Sequence, residues 1–133
     1  MRIMMDTNVL ISIVLFPTPQ MNKMMEHIFQ KHNLVLSSFV VEEFKGVMAR
    51  KFPTEVKNVD RFLSRVSYEL VYTPDEIDQS IFRIRDTHDY PVLYTAIIDD
   101  VDVLITGDKN FASVEIDRPE VLTPANFIKM YMK

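Results

Sequence analysis

Short apolar runs alternate along the chain with longer stretches in which hydrophobic residues recur at helical spacing. The runs that predict strands cover residues 2–5, 34–36, 69–72 and 101–106. A continuous apolar run is typical of a strand buried on both faces, although the shortness of the first run leaves a helix open there.

Amphipathic spacing, together with proline and serine or threonine at the starts, predicts helices in five places. One follows Pro19 and ends near Lys31, one runs from a cap at Ser37 or Ser38 towards Pro53, and one covers residues 54–66. The others run from residue 91 to about 97 and from 124 to about 132. Residues 75–84 suit a helix by the spacing of their isoleucines and a loop by their charges, so both remain open.

The alternation of strands and helices predicts an α/β fold with a central parallel sheet covered on both faces, because parallel strands need crossover connections. The chain has 133 residues, of which 47% are hydrophobic and 26% charged. These values are typical of one globular domain and exclude disordered and fibrous proteins. We therefore expect a single domain over residues 1–133.

Composition also limits the location and the chemistry. No apolar run reaches the roughly 20 residues of a membrane helix, and Arg2, Asp6 and Asn8 interrupt the first segment as a signal peptide would not allow. We expect a soluble cytoplasmic protein. The chain has no cysteine, which excludes disulfides, thiolate nucleophiles and cysteine-ligated zinc. With a net charge of −4, nucleic acid would need a local basic patch rather than bulk attraction.

Four acidic residues follow the predicted strands or begin the predicted helices. Asp6 and Asp108 stand where strands end, and Glu43 and Asp89 stand near helix starts. In an α/β sheet these positions share one edge, where ligands gather. The four carboxylates are therefore expected to converge.

Clustered carboxylates repel one another unless a divalent cation neutralises them, and Mg²⁺ or Mn²⁺ is the natural choice for oxygen ligands. Such an ion can orient water for attack on a phosphodiester. The plainer interpretation is that each acid caps a helix, and this explains any one of them alone. It does not explain why Asp6-Thr7-Asn8 and Thr106-Gly107-Asp108 both follow strands.

Five segments together resemble a known family. They are MMDTNVLIS at 4–12, SSFVVEEF at 37–44, RDTHDYPVLYTA at 85–96, LITGDKNF at 104–111 and VLTPANFI at 121–128. The chain resembles the PIN-domain ribonucleases, and within them the VapC-like toxins of toxin–antitoxin pairs. The resemblance implies a Rossmann-like α/β/α sandwich and an endoribonuclease that depends on Mg²⁺ or Mn²⁺. It also implies an RNA substrate and a small antitoxin partner.

The family's acids map onto Asp6, Glu43, Asp89 and Asp108, as catalytic residues and metal ligands. Glu43 is preferred to Glu42 because it directly precedes Phe44, and the family usually has glutamate before a hydrophobic residue at this place. Asp89 is preferred to Asp86 because it directly precedes the predicted helix. The next residue, Tyr90, departs from the small polar residue that relatives often carry.

Other polar residues have two interpretations each. Thr7, Asn8 and Thr106 would orient the ligands or simply form turns. His88 would contact a phosphate or shuttle a proton, but an exposed loop histidine is the more common case. Lys109 would neutralise substrate charge or remain solvated. His27 and His32 are too far apart for one helical face and are expected on the surface.

The most basic stretch lies within residues 50–65. Lys57, Arg61 and Arg65 share one helix face there and are candidates for RNA binding, although such a face is usually just solvated. A stripe of Met21, Met24, Met25 and Ile28 fits a core or, alternatively, a homodimer or partner contact. These alternatives stay open.

Two other functions compete with the ribonuclease. One is a catalytically inactive PIN domain that binds RNA or protein, against which the full set of four acids argues. The other is a haloacid-dehalogenase-like phosphatase. That class needs a second aspartate two residues after its nucleophile, and the chain has Asn8 at that position.

Overall fold

A five-stranded parallel sheet forms the centre of the computed structural model, which describes residues 1–132. The strands are β1 (Arg2–Met5), β2 (Asn33–Ser37), β3 (Glu69–Val71), β4 (Val103–Ile105) and β5 (Glu120–Leu122). Their order is β3-β2-β1-β4-β5, and every neighbouring pair is parallel. The predicted α/β fold is thereby confirmed. The single-domain prediction extends to Lys133, which lies outside the described residues.

Helices connect the strands, and all except the first begin and end near the residues that the sequence suggested. They are α1 (Thr7–Leu15), α2 (Pro19–Lys31), α3 (Ser38–Lys51), α4 (Val56–Arg65), α5 (Tyr90–Ile98) and α6 (Pro124–Tyr131). The hydroxyls of Thr18, Ser37 and Thr123 each accept a backbone N–H three residues further on, at 3.1 Å. These caps satisfy backbone donors that would otherwise lack partners. None of the helices within residues 1–132 is both long and apolar enough to cross a membrane.

The order of the strands creates a crevice beside β1. From β1 the chain builds outwards through β2 and β3 on one side, then returns to place β4 and β5 on the other side. Ligands in open α/β sheets bind at such a switch point, outside the carboxyl ends of the strands. Asp6 directly follows β1 there, and residues 106–108 follow β4.

The core lies on both faces of β1. Ile3, Met4 and Met5 are fully buried, as expected for a central parallel strand. From the methionine stripe of α2, Met24, Met25 and Ile28 are buried. The core interpretation of those three residues is therefore correct.

Two elements differ from the sequence prediction. Helix α1 was not predicted, because its sequence TNVLISIVL is apolar on nearly every side and shows no helical period. Strand β5 was missed because only Val121 and Leu122 are apolar in it, too few to form an apolar run.

The ambiguous segment 75–84 contains neither a helix nor a strand. The Tyr90 ring fastens it to the core instead, since Phe82 stacks on that ring with centroids 4.1 Å apart and the hydroxyl donates to the Asp78 carbonyl. Tyr90, which departs from the family pattern, is 3% exposed and has a packing role.

The prediction for His27 and His32 was wrong. Their ring centroids are 5.2 Å apart, and Phe127 packs edge-on against both rings. Helix α2 ends before His32, whose backbone is extended, so helical spacing does not govern their separation. Both histidines are half-buried rather than on the open surface.

Candidate active site

Asp6 lies at the centre of the acidic edge, between β1 and the start of α1, and is 4% exposed. One carboxylate oxygen accepts the Thr7 backbone N–H at 2.7 Å, and the other accepts the Thr106 hydroxyl at 2.8 Å. Burial raises the pKa of Asp6, and the nearby charges of Glu43 and Asp108 raise it further, while the two hydrogen bonds act in the opposite direction. The carboxylate is thus rigidly placed and electrostatically disfavoured.

Thr106 links the first acid to the loop after β4. Its hydroxyl donates to Asp6 and accepts the Asp108 backbone N–H at 3.1 Å. Asn8 adds a second link, because its side-chain oxygen accepts the Gly107 backbone N–H at 3.3 Å. The strand-end loops of β1 and β4 are therefore joined side by side, as the sequence motifs suggested.

Asp108 and Asp89 lie next to each other across this crevice. Asp108 caps the short 3₁₀ turn Lys109–Ser113 by accepting the Asn110 backbone N–H at 2.9 Å. Asp89 occupies the N-cap position of α5 and is 9% exposed. Burial raises the pKa of Asp89 to about 7, with the charge of Asp108 and a shared hydrogen bond between the two carboxyls adding to the effect. Asp89 is therefore partly protonated near neutral pH.

Glu43 reaches the crevice from the second turn of α3. Its Oε1 accepts the Thr7 hydroxyl, and its Oε2 faces His88 Nε2. This hydrogen bond raises the pKa of His88 and favours its charged form. The Glu43 carboxylate is thereby held on both oxygens.

The four acids lie near one another at this edge, while the two less preferred alternatives are more exposed. Glu42 is exposed. Asp86 is also exposed, and its carboxylate accepts the His88 backbone N–H at 3.0 Å. Asp86 nevertheless lies close enough to raise the pKa of Asp89.

The carboxylate oxygens of these acids are the kind of ligand that hard divalent cations prefer. As the side chains stand, no three His, Asp or Glu residues within positions 1–132 are close enough to hold one ion. Mg²⁺ commonly uses only one or two protein carboxylates and completes its shell with water. Burial and neighbouring carboxylates raise the pKa values of Asp6 and Asp89, so their ionised forms are disfavoured unless positive charge is bound nearby.

Two contacts were not foreseen from the sequence. His88 is 67% exposed, as expected of a loop histidine, yet its ring nitrogen contacts Glu43. The Asn110 amide lies 3.5 Å from the Asp89 carboxylate. In the sequence, only the position of Asn110 two residues after Asp108 indicated that this amide could lie near the acids.

The predicted basic face lies on α4. Lys57, Arg61 and Arg65 are exposed and spaced by four residues. Residues Arg61 and Arg65 border a cavity of about 290 Å³ together with Val14 of α1. Their spacing on one face is as predicted, and RNA binding by them stays a prediction.

Comparison with known proteins places the chain in a family. A family model described as PIN domain matches residues 2–110. The structure is similar to that of a chain of VapBC2 from Rickettsia felis, which was solved bound to a DNA fragment from the VapBC2 promoter. The two chains are 21% identical and superpose with a TM-score of 0.69, and the match covers 92% of this chain and 97% of that one. It is also similar to Mycobacterium tuberculosis VapC20, described as a Sarcin-Ricin loop cleaving toxin, with 8% identity, a TM-score of 0.60 and coverage of 84% and 93%. A search of curated proteins found no match. Since the family model spans most of the sequence, the chain belongs to the PIN domain family.

Proposed function

We propose that the protein is a metal-dependent endoribonuclease that hydrolyses RNA phosphodiester bonds. The observation that carries this proposal is the convergence of Asp6, Glu43, Asp89 and Asp108 at the sheet's switch point. Like charges are gathered there without an Arg or Lys partner among the described ion pairs. A divalent cation and a phosphodiester together suit such a site.

Asp6, Asp89, Asp108 and Glu43 would hold the ion, which is Mg²⁺ or Mn²⁺. When bound, it supplies an activated water molecule and neutralises charge on the phosphate. Thr7 and Thr106 fix the orientation of the acids, and Asn8 fixes the loop that carries Asp108. Asp89, whose pKa is raised to about 7, would lose its proton on serving as a ligand.

RNA would reach this acidic edge with the help of local positive charge. The net charge of −4 repels polyanions, so the exposed Lys57, Arg61 and Arg65 on α4 are the proposed guide. Helix α4 packs against α3, which carries Glu43. The helix that carries the basic face therefore contacts the helix that carries Glu43.

We further propose that the enzyme is the toxin of a toxin–antitoxin pair and works in the cytoplasm, where RNA is available. The similarity to VapBC2 and VapC20 supports this assignment. The proposed partner is a small antitoxin protein that would block access to the acidic edge.

The proposal is tested by measuring cleavage of single-stranded RNA with protein that has been stripped of metal. We expect no cleavage in chelator and recovery of cleavage when Mn²⁺ or Mg²⁺ is returned in excess. Full cleavage by the stripped protein in chelator would contradict the metal requirement. A folded protein that binds RNA but cleaves none with either ion would favour the inactive binding domain instead.

A further inference from the structure

A cavity of about 400 Å³ opens directly beside Glu43, between α3 and the loop that precedes α5. It is lined by Phe39, Glu42, Gly46, Val47, Arg50 and His88. Its volume falls in the lower part of the roughly 300–1,000 Å³ typical of small-ligand sites. The cavity therefore has room for one flat ring system next to the acidic edge.

Gly46 forms an open part of the cavity in the interior of α3. Glycine destabilises a helix relative to alanine, so an interior glycine calls for a reason. Packing gives none, because a Cβ at this position would meet no atom within 4 Å. What the glycine does provide is space in the cavity, at the expense of helix stability.

Aromatic rings border the same space. Phe39 is half-buried, and the His88 ring stands against it with centroids 5.7 Å apart and planes at 60°. Bases of single-stranded nucleic acids stack on such rings, and this interaction tolerates any base because each has a π-face. His88 adds a polar group that can pair with the edge of a base.

Arg50 supplies positive charge beside the acidic edge. It is exposed at the last turn of α3 and belongs to none of the ion pairs among residues 1–132. A nucleotide combines an apolar, planar base with an anionic phosphate. The cavity offers the matching combination, because aromatic, aliphatic and guanidinium side chains all line it.

We propose that this cavity is a nucleobase subsite, which takes a base of the RNA strand adjacent to the bond at the acidic edge. Phe39 and Val47 contact the base, Gly46 leaves room for it, and Arg50 contacts a neighbouring phosphate. The inference rests on the proposed ribonuclease function and names a specificity element of it.

The test fills the cavity and measures RNA binding without metal, so that no cleavage is needed. The probe is a single-stranded RNA 12-mer carrying one 2-aminopurine, whose fluorescence is quenched on stacking. Gly46→Leu should weaken binding about tenfold, the loss expected for one base stack, and abolish the quenching. Ala49→Leu places the same leucine side chain on the same helix outside the cavity and should bind as the parent does.

Two further variants keep the test independent of folding. Gly46→Ala should raise the melting temperature and weaken binding by a smaller factor, a combination that a purely structural glycine would not give. Arg50→Gln changes an exposed side chain and should weaken binding and flatten its salt dependence.

Parent-like binding and quenching by folded Gly46→Leu would overturn the subsite and leave the cavity to a protein ligand or to none. The same holds if Arg50→Gln binds RNA as tightly as the parent at low and high salt. If the parent binds and quenches the probe but never cleaves RNA with Mn²⁺, the subsite stands and the ribonuclease proposal fails. The two failures are thus distinguishable.

Discussion

Glu43 is held on both sides of its carboxylate, by the Thr7 hydroxyl on one oxygen and by His88 on the other. Neither partner comes from its own helix, so three chain segments fix one side chain. A carboxylate fixed in this way loses little entropy when it takes up a ligand. Replacing Glu43 and its exposed neighbour Glu42 separately therefore tests which of the two glutamates acts in the site.

Glu43→Gln keeps the size of the side chain and removes its charge. Even residues that only orient metal ligands cost about 10- to 100-fold when replaced, so we expect RNA cleavage to fall by about 100-fold or more. Glu42→Gln should stay within about twofold of the parent. The measurement is the initial rate of single-stranded RNA cleavage at saturating Mn²⁺. Equal losses for the two variants, or a larger loss for Glu42→Gln, would refute the assignment of Glu43.

At the scale of elements, α4 is amphipathic, with one face for the core and one for solvent. Val59 is buried, and Phe62 packs edge-on against Phe44 of α3 with centroids 6.2 Å apart. The opposite side carries Lys57, Arg61 and Arg65. Replacing these three cations leaves the buried face intact, so RNA binding can be tested without disturbing the core.

The triple variant Lys57→Gln, Arg61→Gln, Arg65→Gln should bind single-stranded RNA more weakly. Each phosphate contact contributes about 0.7 to the slope of log K against log salt, so the slope should become shallower by about 2. A matched triple of exposed lysines, Lys23→Gln, Lys31→Gln and Lys129→Gln, changes the net charge equally and should keep the parental slope. Identical slopes for both triples would show that the α4 face is merely solvated.

The elements also show how far the sequence alone could lead. Helices α2 and α3 were predictable because proline or serine marks their starts and their apolar residues are periodic. The placement of Asp6 and Asp108 followed from parallel topology alone. The contact between Glu43 and His88 could not be predicted, because it joins residues 45 positions apart through side-chain orientation. The helix over residues 7–15 was hidden because an evenly apolar sequence has no period.

Across the whole molecule, the acids at the two edges of the sheet differ in whether basic side chains pair with them. At the edge where the strands begin, Arg2 pairs with Glu69 and Asp99, and Arg118 pairs with Asp102 at 2.8 Å. At the edge where the strands end, His88 is the one cationic side chain that pairs with an acid among residues 1–132. The second edge therefore keeps unneutralised negative charge in the absence of a cation.

This imbalance makes stability depend on pH. The pKa of Asp89 is about 7 in the folded protein, above its ordinary value of 3.8. The folded state thus binds a proton that the unfolded state has lost, and this contribution to stability disappears as pH rises through 7. A bound cation competes with that proton, so its stabilising effect should be larger at pH 8 than at pH 6.

The central claim is that the acidic edge is a divalent-cation site, and the most direct test is the melting temperature with and without Mn²⁺. At a concentration about 100 times Kd, binding to the folded state adds about 2.7 kcal/mol, which corresponds to a rise of about 5–15 °C for a chain of this size. We expect that rise in the parent at pH 8, a smaller one at pH 6, and little or none in folded Asp6→Asn. An unchanged parental melting temperature at millimolar Mn²⁺, or an equal rise in Asp6→Asn, would contradict the account.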